Sequence, residues 1–389
     1  MHKSKKRYIL LTILVISTIF LIPIKEKNPN KPSLMASSIL DPIYMGIPVY
    51  ENTSGEARNV FVSGNYAYVA DRYSGLAVID ISDPTNPGTP AYENTMGEAM
   101  DVYVRGDYAY VGVMDYGLAI VYILNPANPG PTVYEDTIGY VWGVYVNGDF
   151  AYLAYLDDGL SGLAIINISN PANPEPPVYK NTTGAARDIY VSGDYAYVAV
   201  GSSGLAVINI SDPTNPGTPV YEDIYGVALG VYVSGNYAYV ALESGVSGSN
   251  GLAVIDISDP TNPGLPVYAT TSHGVEDVYV NEDLAYLAGT WDLVYIDISD
   301  PTNPGTPKIA PTTDWAHGVH VNGDFVYVAA GDDGLAIFEI IDPNLTEPPD
   351  GPAPGGGVPL GNSFLIFIGL SVFCLILIKK RQIVRASRK

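Results

Sequence analysis

Aromatic rings and carboxylates are the side chains of this sequence whose types and positions could bind a ligand. The clearest examples fall in short variable stretches between apolar runs, and they are Tyr73, Trp142, Tyr155, Asp157, Trp291, Trp315 and Asp332. A flat apolar ring packs against the face of a pyranose, and a carboxylate accepts hydrogen bonds from sugar hydroxyls. The pattern therefore favours sugar binding. The alternative is that the rings only fill space between structural units.

Neighbouring carboxylates raise the question of catalysis. Asp157-Asp158 and Asp332-Asp333 could act as general acid and base, the pair of groups that glycosidases use. Acids in solvated turns are far commoner, and the sequence contains neither the Asp-box of sialidase-type proteins nor the Gly-x-Ser-x-Gly pattern of a serine nucleophile. We therefore predict that the chain is not an enzyme.

The histidines and the acidic turns are the candidate metal ligands of the sequence. His273, His317 and His320 could be imagined as a three-histidine site, but residues three apart on one strand point to opposite faces. The repeated acidic segment at residues 80–83 is interpreted as a turn cap. We predict no cofactor, and calcium on the acidic turns is the one possibility left open, because carboxylates and carbonyls are its natural ligands.

The charge of the chain is concentrated in its middle. Residues 32–363 contain six Lys/Arg against forty Asp/Glu. A surface of that sign repels phosphate backbones, so no nucleic acid is expected as a partner, whereas cations, basic proteins and neutral sugars remain open. The single cysteine, Cys374, rules out a disulfide within the chain.

A repeated phrase identifies the elements that must position these residues. GNYAYVA, a variable stretch and then GLAVIDISDPTNPG recur seven times, and the copies begin at Gly64, Gly106, Gly148, Gly193, Gly235, Glu282 and Gly323. The period is that of a propeller blade with four strands. In the first copy we predict strand a at Asn59–Ser63, b at Tyr66–Ala70, c at Gly75–Ile81 and d at Thr89–Glu93.

The two ends of the array predict a closed ring. Ile47–Thr53 has the sequence of a strand d with no a, b or c before it, and Gly334–Ile340 is a strand c with no d after it. The first segment can complete the last blade, and closure hides sheet edges that would otherwise invite aggregation. We therefore predict an all-β, seven-bladed β-propeller over residues 47–342, with four-stranded blades and an N-terminal closing strand.

Comparison of the seven copies separates the two faces of the ring. The a–b and c–d turns of one face are nearly uniform, whereas every change in length falls in the b–c loops of the other. The residue leading into strand a also varies, and it is Arg58, Met100, Trp142, Arg187, Leu229, Glu276 and His317 in the seven copies. We expect these seven side chains to surround the mouth of the central channel, on the face where a ligand would bind.

The terminal segments indicate export and anchoring. A basic start and a seventeen-residue apolar run make residues 1–36 a predicted signal peptide or signal anchor, followed by a linker at 37–46. A Pro/Gly linker at 343–362, a transmembrane segment at 363–378 and a basic cytoplasmic tail at 379–389 are predicted at the other end. A processed sorting signal is an alternative for this tail. We expect a membrane-anchored, extracytoplasmic propeller at the cell surface.

Sequons add a glycosylation prediction for an exported chain. The acceptor asparagines are Asn52, Asn167, Asn181, Asn209 and Asn344. Asn167 and Asn209 stand where other copies have Asp, so exchange of Asp for Asn explains these two equally well.

The repeated residues resemble a known family. GLAVIDISDPTNPG, with the preceding YVAD at Tyr68 to Asp71, is similar to the LVIVD repeat of bacterial and archaeal surface proteins, over roughly residues 47–342. The sixth copy departs most, with NEDLAYLA and DLVYIDIS. The resemblance implies a propeller at the cell surface, and it implies no particular activity.

Three functions remain in competition. We favour a non-catalytic surface binding or adhesion module that presents the variable face to a glycan or protein ligand. The alternatives are an envelope-structural protein without a specific ligand, and a polysaccharide hydrolase or lyase.

Overall fold

A computed structural model describes residues 43–157, 159–244 and 249–342, and the regular structure within these ranges is β-strand alone. The first strands are β1 Tyr44–Met45, β2 Val49–Glu51, β3 Asn59–Ser63, β4 Tyr66–Ala70, β5 Leu76–Asp80, β6 Ala91–Glu93, β7 Ala99–Arg105, β8 Tyr108–Val113, β9 Gly117–Tyr122, β10 Thr132–Glu135, β11 Tyr140–Asn147, β12 Phe150–Asp157, β13 Leu160–Asn167 and β14 Val178–Asn181. The remaining strands are β15 Asp188–Ser192, β16 Tyr195–Ala199, β17 Leu205–Asn209, β18 Val220–Glu222, β19 Val227–Ser234, β20 Tyr237–Glu243, β21 Gly251–Asp256, β22 Val267–Thr270, β23 Val275–Asn281, β24 Leu284–Gly289, β25 Asp292–Asp297, β26 Lys308–Pro311, β27 Gly318–Asn322, β28 Phe325–Ala329 and β29 Leu335–Ile341.

Antiparallel pairing groups these strands into seven sheets, which confirms the predicted propeller. Blades one to six each use four consecutive strands, from β3–β6 to β23–β26, and blade seven contains β27, β28 and β29. Strand a of each blade contacts strand a of the next, and β27 of blade seven contacts β3 of blade one. The ring is therefore continuous.

The apolar core lies between blades. Each of seven buried clusters joins two neighbouring sheets. The cluster at the closure of the ring packs Val60 and Ile79 of blade one against Tyr327 and Leu335 of blade seven. Strand b is buried on both faces for this reason, so its sequence is a nearly continuous apolar run such as YAYVA in β4.

The N-terminal closing strand is confirmed. β2 pairs with β29 through Val49 with Ile337 and Glu51 with Leu335. The backbone N–H of Thr313 donates to the Tyr50 hydroxyl at 3.0 Å, and in blade one the N–H of Ser54 donates to Tyr92 in the same way at 2.8 Å. β2 therefore makes the contacts of an ordinary strand d.

The linker predicted at 37–46 differs from the structure over its described part. Tyr44 and Met45 form β1 and pair with Ile341 and Ile340 at the far end of β29. β29 is long enough to pair with both segments, so the closing contact begins before Ile47, the first residue of the predicted propeller.

Strand bounds in the first blade match the prediction for a and b and are shorter for c and d. Gly75 precedes β5 instead of joining it, because its φ is +80° and a Cβ there would lie 2.4 Å from the carbonyl oxygen of Glu93. β6 begins at Ala91 and leaves out Thr89 and Pro90.

The acidic turns are capped as expected. Asp80 Oδ1 accepts a hydrogen bond from the N–H of Ser82 at 2.9 Å, and Asp83 Oδ1 accepts one from the N–H of Thr85 at 3.0 Å. Asn209 accepts from Ser211 at 3.1 Å in the same way, so an Asn preserves the cap where it replaces Asp.

No helix within the described ranges is long and apolar enough to cross a membrane. The predicted signal segment at 1–36, linker at 343–362, transmembrane segment at 363–378 and tail at 379–389 lie outside the described residues, as do Asp158 and Asn344.

Closure of the ring by β2 predicts that two tyrosines lose the same stability when their hydroxyls are removed. Tyr50→Phe and Tyr92→Phe each remove one hydroxyl that accepts a backbone hydrogen bond, so each should lower stability by about 1 kcal/mol. In a chain of this size that corresponds to about 2 °C in Tm.

Tyr44→Phe is the matched control, because this tyrosine is 49% exposed. Differential scanning calorimetry of the three variants gives the comparison. A Tyr50→Phe variant with the Tm of the wild type, beside a destabilised Tyr92→Phe variant, would contradict closure by β2.

Candidate functional site

One cavity of about 260 Å³ opens at the channel mouth on the variable face. Its lining includes all seven residues that precede strand a, together with Asn59, Asp101, Asp188, Gly230, Glu243 and Asp277. The sequence comparison predicted this convergence, and the structure places Arg58, Trp142, Arg187, Glu276 and His317 of the candidate residues there.

Local backbone geometry aims several of these side chains into the channel. The register of strand a skips one residue in four blades, and the bulged residues are Met100, Trp142, Leu229 and Glu276. A bulge leaves a residue unpaired and redirects its side chain. In the other three blades the residue stands just before strand a and its N–H donates to strand b, as Arg187 donates to Ala199 at 2.9 Å.

Carboxylates form the next layer of the channel. Asp101 accepts hydrogen bonds from its neighbour Val102 at 2.7 Å and from Val144 of the following blade at 2.6 Å. Asp188 and Asp277 repeat this arrangement with Val231 at 2.8 Å and Val319 at 2.9 Å. Each carboxylate therefore links two blades.

Glycines alternate with these carboxylates around the ring. At the same position the following blades have Gly143, Gly230 and Gly318. A Cβ on Gly143 would lie 2.9 Å from Cα of Asp188, so the next blade leaves no room for a side chain. These residues are not among those predicted from the sequence, although Asp and Gly visibly alternate at this position across the copies.

Burial changes the acidity of the three carboxyls. It raises the pKa of Asp101 to about 6 and that of Asp277 to about 7, although the backbone hydrogen bonds act in the opposite direction. The pKa of Asp188 is also raised, first by burial and then by repulsion from Asp277 and Asp101.

A circle of seven aromatic side chains lines the deeper part of the channel. One residue from each strand a contributes, and the seven are Phe61, Tyr103, Tyr145, Tyr190, Tyr232, Tyr279 and His320. Neighbouring centroids lie between 4.6 and 4.9 Å apart, so every ring contacts two others. Burial lowers the pKa of His320 to about 3, which keeps its imidazole neutral.

Most charges at the mouth are paired. Arg58 Nη2 lies 2.6 Å from Glu56 Oε1, and His317 Nδ1 lies 2.7 Å from Glu276 Oε2. Arg72 bridges Glu56 and Glu98 at the rim, and its nitrogen Nε lies 2.7 Å from the carboxylate of Glu98.

Arg187 is different. Its guanidinium stacks on Trp142, with Cζ 4.3 Å from the ring centroid, and this guanidinium makes no hydrogen bond or ion pair with the side chain or backbone of any described residue. Burial lowers its pKa, and the charges of Glu243 and Glu276 act in the opposite direction from a distance. Among the described residues, Trp142 Nε1 and Arg58 Nε are also buried donors without an acceptor.

Exposed aromatic side chains stand at the rim. Trp291 and Trp315 are 52% and 46% exposed, and their rings meet edge to face with centroids 6.4 Å apart. Trp315 also contacts the ring of His317 at 6.1 Å. Trp291 has a φ of +84°, which is strained for a residue with a side chain. Tyr73 is 65% exposed and lies beneath the guanidinium of Arg72.

Tyr155 was wrongly predicted to be an exposed ligand-face residue. The three extra residues of blade three lengthen the hairpin of β12 and β13, and Tyr155 is fully buried within it. Its hydroxyl donates to Asn181 Oδ1 at 2.9 Å, and its ring packs against Tyr179. It fills space beside its blade, as the alternative interpretation proposed.

The remaining candidates lie away from the cavity. Asp157 is half-buried at the end of the same hairpin, and Asp332 is exposed, with its N–H donating to Asp314 Oδ2 at 2.9 Å. Of the predicted glycosylation sites, Asn52 and Asn181 are exposed, whereas Asn167 and Asn209 are half-buried in capped turns.

Metal-ligating residues do not gather in the described ranges, where no group of three or more His, Cys, Asp or Glu has the geometry to hold an ion. His317 lies at the mouth, His320 in the aromatic circle and His273 on a loop beside Asp292 at 3.8 Å.

Comparison with known families identifies the repeat. The LVIVD repeat pattern matches residues 54–90, 96–132, 138–176, 183–218, 225–271, 274–309 and 315–348. The chain belongs to the LVIVD repeat family. The first match, residues 54–90, begins in the loop before β3 and ends before β6. Strand d of that blade therefore lies outside the matched repeat. No curated protein matches the sequence significantly.

Solved structures similar to this LVIVD-repeat chain share its architecture at low identity. The WD40 repeats of RRP9 match with 11% identity and a TM-score of 0.61, covering 77% of this chain and all of that one. The β-propeller domain of Cps50 (Swd1) from Myceliophteria thermophila has 12% identity and a TM-score of 0.58, with coverage of 77% and 100%. The computationally designed Ika8 protein has 9% identity and a TM-score of 0.54, with coverage of 75% and 98%. These identities show likeness of fold alone.

Buried carboxyls in the channel predict a pH-dependent stability. Carboxyls of an unfolded chain ionise near pH 4, whereas Asp101 and Asp277 retain their protons to about pH 6 and 7 in the folded state. The unfolded state binds fewer protons in that window, so stability should fall as pH rises from 5 to 8. The double variant Asp101→Asn with Asp277→Asn should reduce the difference in unfolding free energy between pH 5 and pH 8 by about 1.4 kcal/mol or more.

Urea unfolding at the two pH values measures this difference. Asp107→Asn with Asp149→Asn is the matched control, because it removes the same charge from exposed turns. Equal pH dependence in wild type and in the channel variant would show that these carboxyls do not determine it.

Proposed function

We propose that this LVIVD-repeat propeller is a non-catalytic binding module that takes a glycan ligand at the channel mouth of its variable face. The observation that carries the proposal is the convergence of the seven variable residues before strand a on one cavity. Residues that differ between copies are free of a common structural duty, and loops on a rigid scaffold are where proteins place ligand contacts.

Aromatic exposure at the rim favours a sugar. Trp291 and Trp315 offer apolar ring faces to solvent beside a cavity that contains hydrogen-bonding groups. The two rings contact each other at the rim and form an apolar surface that can stack on a pyranose ring.

Non-catalytic action is supported by the arrangement of the polar groups. Ser272 Oγ and Asp292 Oδ2 lie 3.1 and 3.8 Å from the same nitrogen of His273, Nδ1, so they cannot be the two ends of a nucleophile–base–acid relay. The channel carboxylates are each bonded to two backbone N–H groups, which ties them to the fold.

We also propose that the propeller is displayed outside the membrane and tethered by the segment at 363–378. The basic residues after this segment favour a cytoplasmic tail, and the basic, apolar start of the chain favours export. A surface position would present the variable face to envelope glycans.

A glycan array probed with the purified full-length protein in detergent tests the proposed site. Replacement of Trp142, Trp291 and Trp315 together by Ala should lower binding at least tenfold, because two exposed ring contacts and the support of Arg187 are lost. Leu124→Ala with Leu265→Ala is the control, since these exposed apolar residues belong to the uniform face.

Undiminished binding by the triple variant would place the ligand elsewhere. Absence of any saturable glycan, combined with ordered self-association, would favour the structural alternative. Release of a product from a bound polysaccharide would favour the hydrolase or lyase alternative.

A further inference from the structure

The distribution of positive charge within the propeller singles out the channel mouth. Residues 43–342 contain six Lys/Arg, and three of them, Arg58, Arg72 and Arg187, lie on the variable face. Arg58 and Arg72 are neutralised by Glu56 and Glu98. Only Arg187 among these three lacks a carboxylate partner within the described residues.

Arg187 is a donor of the cavity with an edge open to a ligand. Its guanidinium has one face on Trp142, which leaves its planar donor edge available. The indole N–H of Trp142 and the Nε of Arg58 are also without an acceptor among the described residues, but both are fully buried and present no surface to a ligand.

Most acceptors that line the cavity have partners within the protein. Glu276 Oε2 pairs with His317 Nδ1 at 2.7 Å, and Asp101, Asp188 and Asp277 accept from backbone N–H groups. Glu243 lies exposed at the end of β20, and its charge acts on Arg187 from a distance without an ion pair. A ligand carboxylate would supply the direct partner that Arg187 lacks, and Glu243 can accept from a ligand hydroxyl.

We propose that the channel mouth binds a saccharide through a carboxylate, as in a uronic acid, with Arg187 as the bidentate donor and Trp142 as the platform that holds its guanidinium. This inference rests on the proposed function and specifies the ligand class of the same site. A guanidinium held flat by stacking matches a carboxylate with two parallel N–H···O bonds. The rest of the sugar would lie toward Trp315 and Trp291 at the rim.

The size of the cavity limits what enters it. Its volume of about 260 Å³ is below the range of roughly 300 Å³ upward that drug-sized ligands occupy. We expect one sugar unit to enter the cavity and further units to extend over the rim.

The charge of the domain also limits the spacing of carboxylates in the ligand. Forty acids against six basic residues in 32–363 repel a polymer that carries one charge on every unit. An isolated uronic acid within an otherwise neutral saccharide satisfies Arg187 without this repulsion.

Isothermal titration calorimetry with two matched probes tests the inference. Methyl β-D-glucuronide and methyl β-D-glucoside differ only in the carboxylate, so the wild-type full-length protein should bind the glucuronide at least tenfold more tightly. Arg187→Gln should abolish this difference. Trp142→Phe should retain the stacking and with it the preference for the glucuronide.

Arg105→Gln is the matched control, because it removes the same charge from an exposed residue at the other end of strand a, and it should bind like the wild type. Thermal unfolding of every variant shows whether it is folded. Where Arg187→Gln does not fold, Arg187→Lys replaces it, and it should reduce the preference because an ammonium cannot make the bidentate pair.

The outcomes separate this inference from the proposed function. Equal affinity for both sugars, lost on replacement of the three tryptophans, would overturn the carboxylate inference and leave glycan binding intact. No binding of either probe would overturn the inference. Binding of an acetylated acidic peptide through Arg187, without binding of the glucuronide, would replace the saccharide by a protein ligand.

Discussion

Pairing of β2 with β29 is the interaction on which the rest of the molecule depends. Each core cluster lies between two blades, so no blade buries its apolar side chains alone. Without β2, blade seven would lack its outer strand, and its interface with blade one would lose the support of that strand. The channel exists only because seven inner strands meet around one axis, and the last of these meetings, β27 with β3, joins the two ends of the chain.

Strand a assigns separate tasks to successive residues. The residue that leads into strand a faces the mouth, and it differs in every blade except for the two arginines. The next residue is a carboxylate or amide in some blades and glycine in the others. The residue two places further along is aromatic in all seven blades. The second layer joins blades in pairs, and the third builds a continuous circle of aromatic side chains in tilted contact. A rigid wall built in this way can hold a variable first layer without loss of the fold, which is the property that a binding scaffold requires.

Much of this arrangement follows from the sequence. The repeat period, the orphan strands at either end and the alternation of Val, Ile and Tyr predict the number of blades, the closing strand and the residues at the mouth, since all three depend on local pattern and connectivity. Burial between elements does not follow from such patterns. Tyr155 looked exposed because it belongs to a variable segment, yet three extra residues extend the hairpin and its hydroxyl finds Asn181. The bridging role of Asp101 depends on the backbone of the following blade, which no single copy of the repeat contains.

A ligand carboxylate at the channel mouth would give Arg187 the partner that it lacks among the described residues. A crystal structure of the full-length protein with methyl β-D-glucuronide tests it most directly. The account predicts the carboxylate oxygens at about 2.8 Å from the guanidinium of Arg187, with the sugar ring toward Trp315. A sugar bound over the uniform face, or a channel mouth filled by the protein's own side chains with Arg187 paired to a carboxylate of the chain, would contradict it.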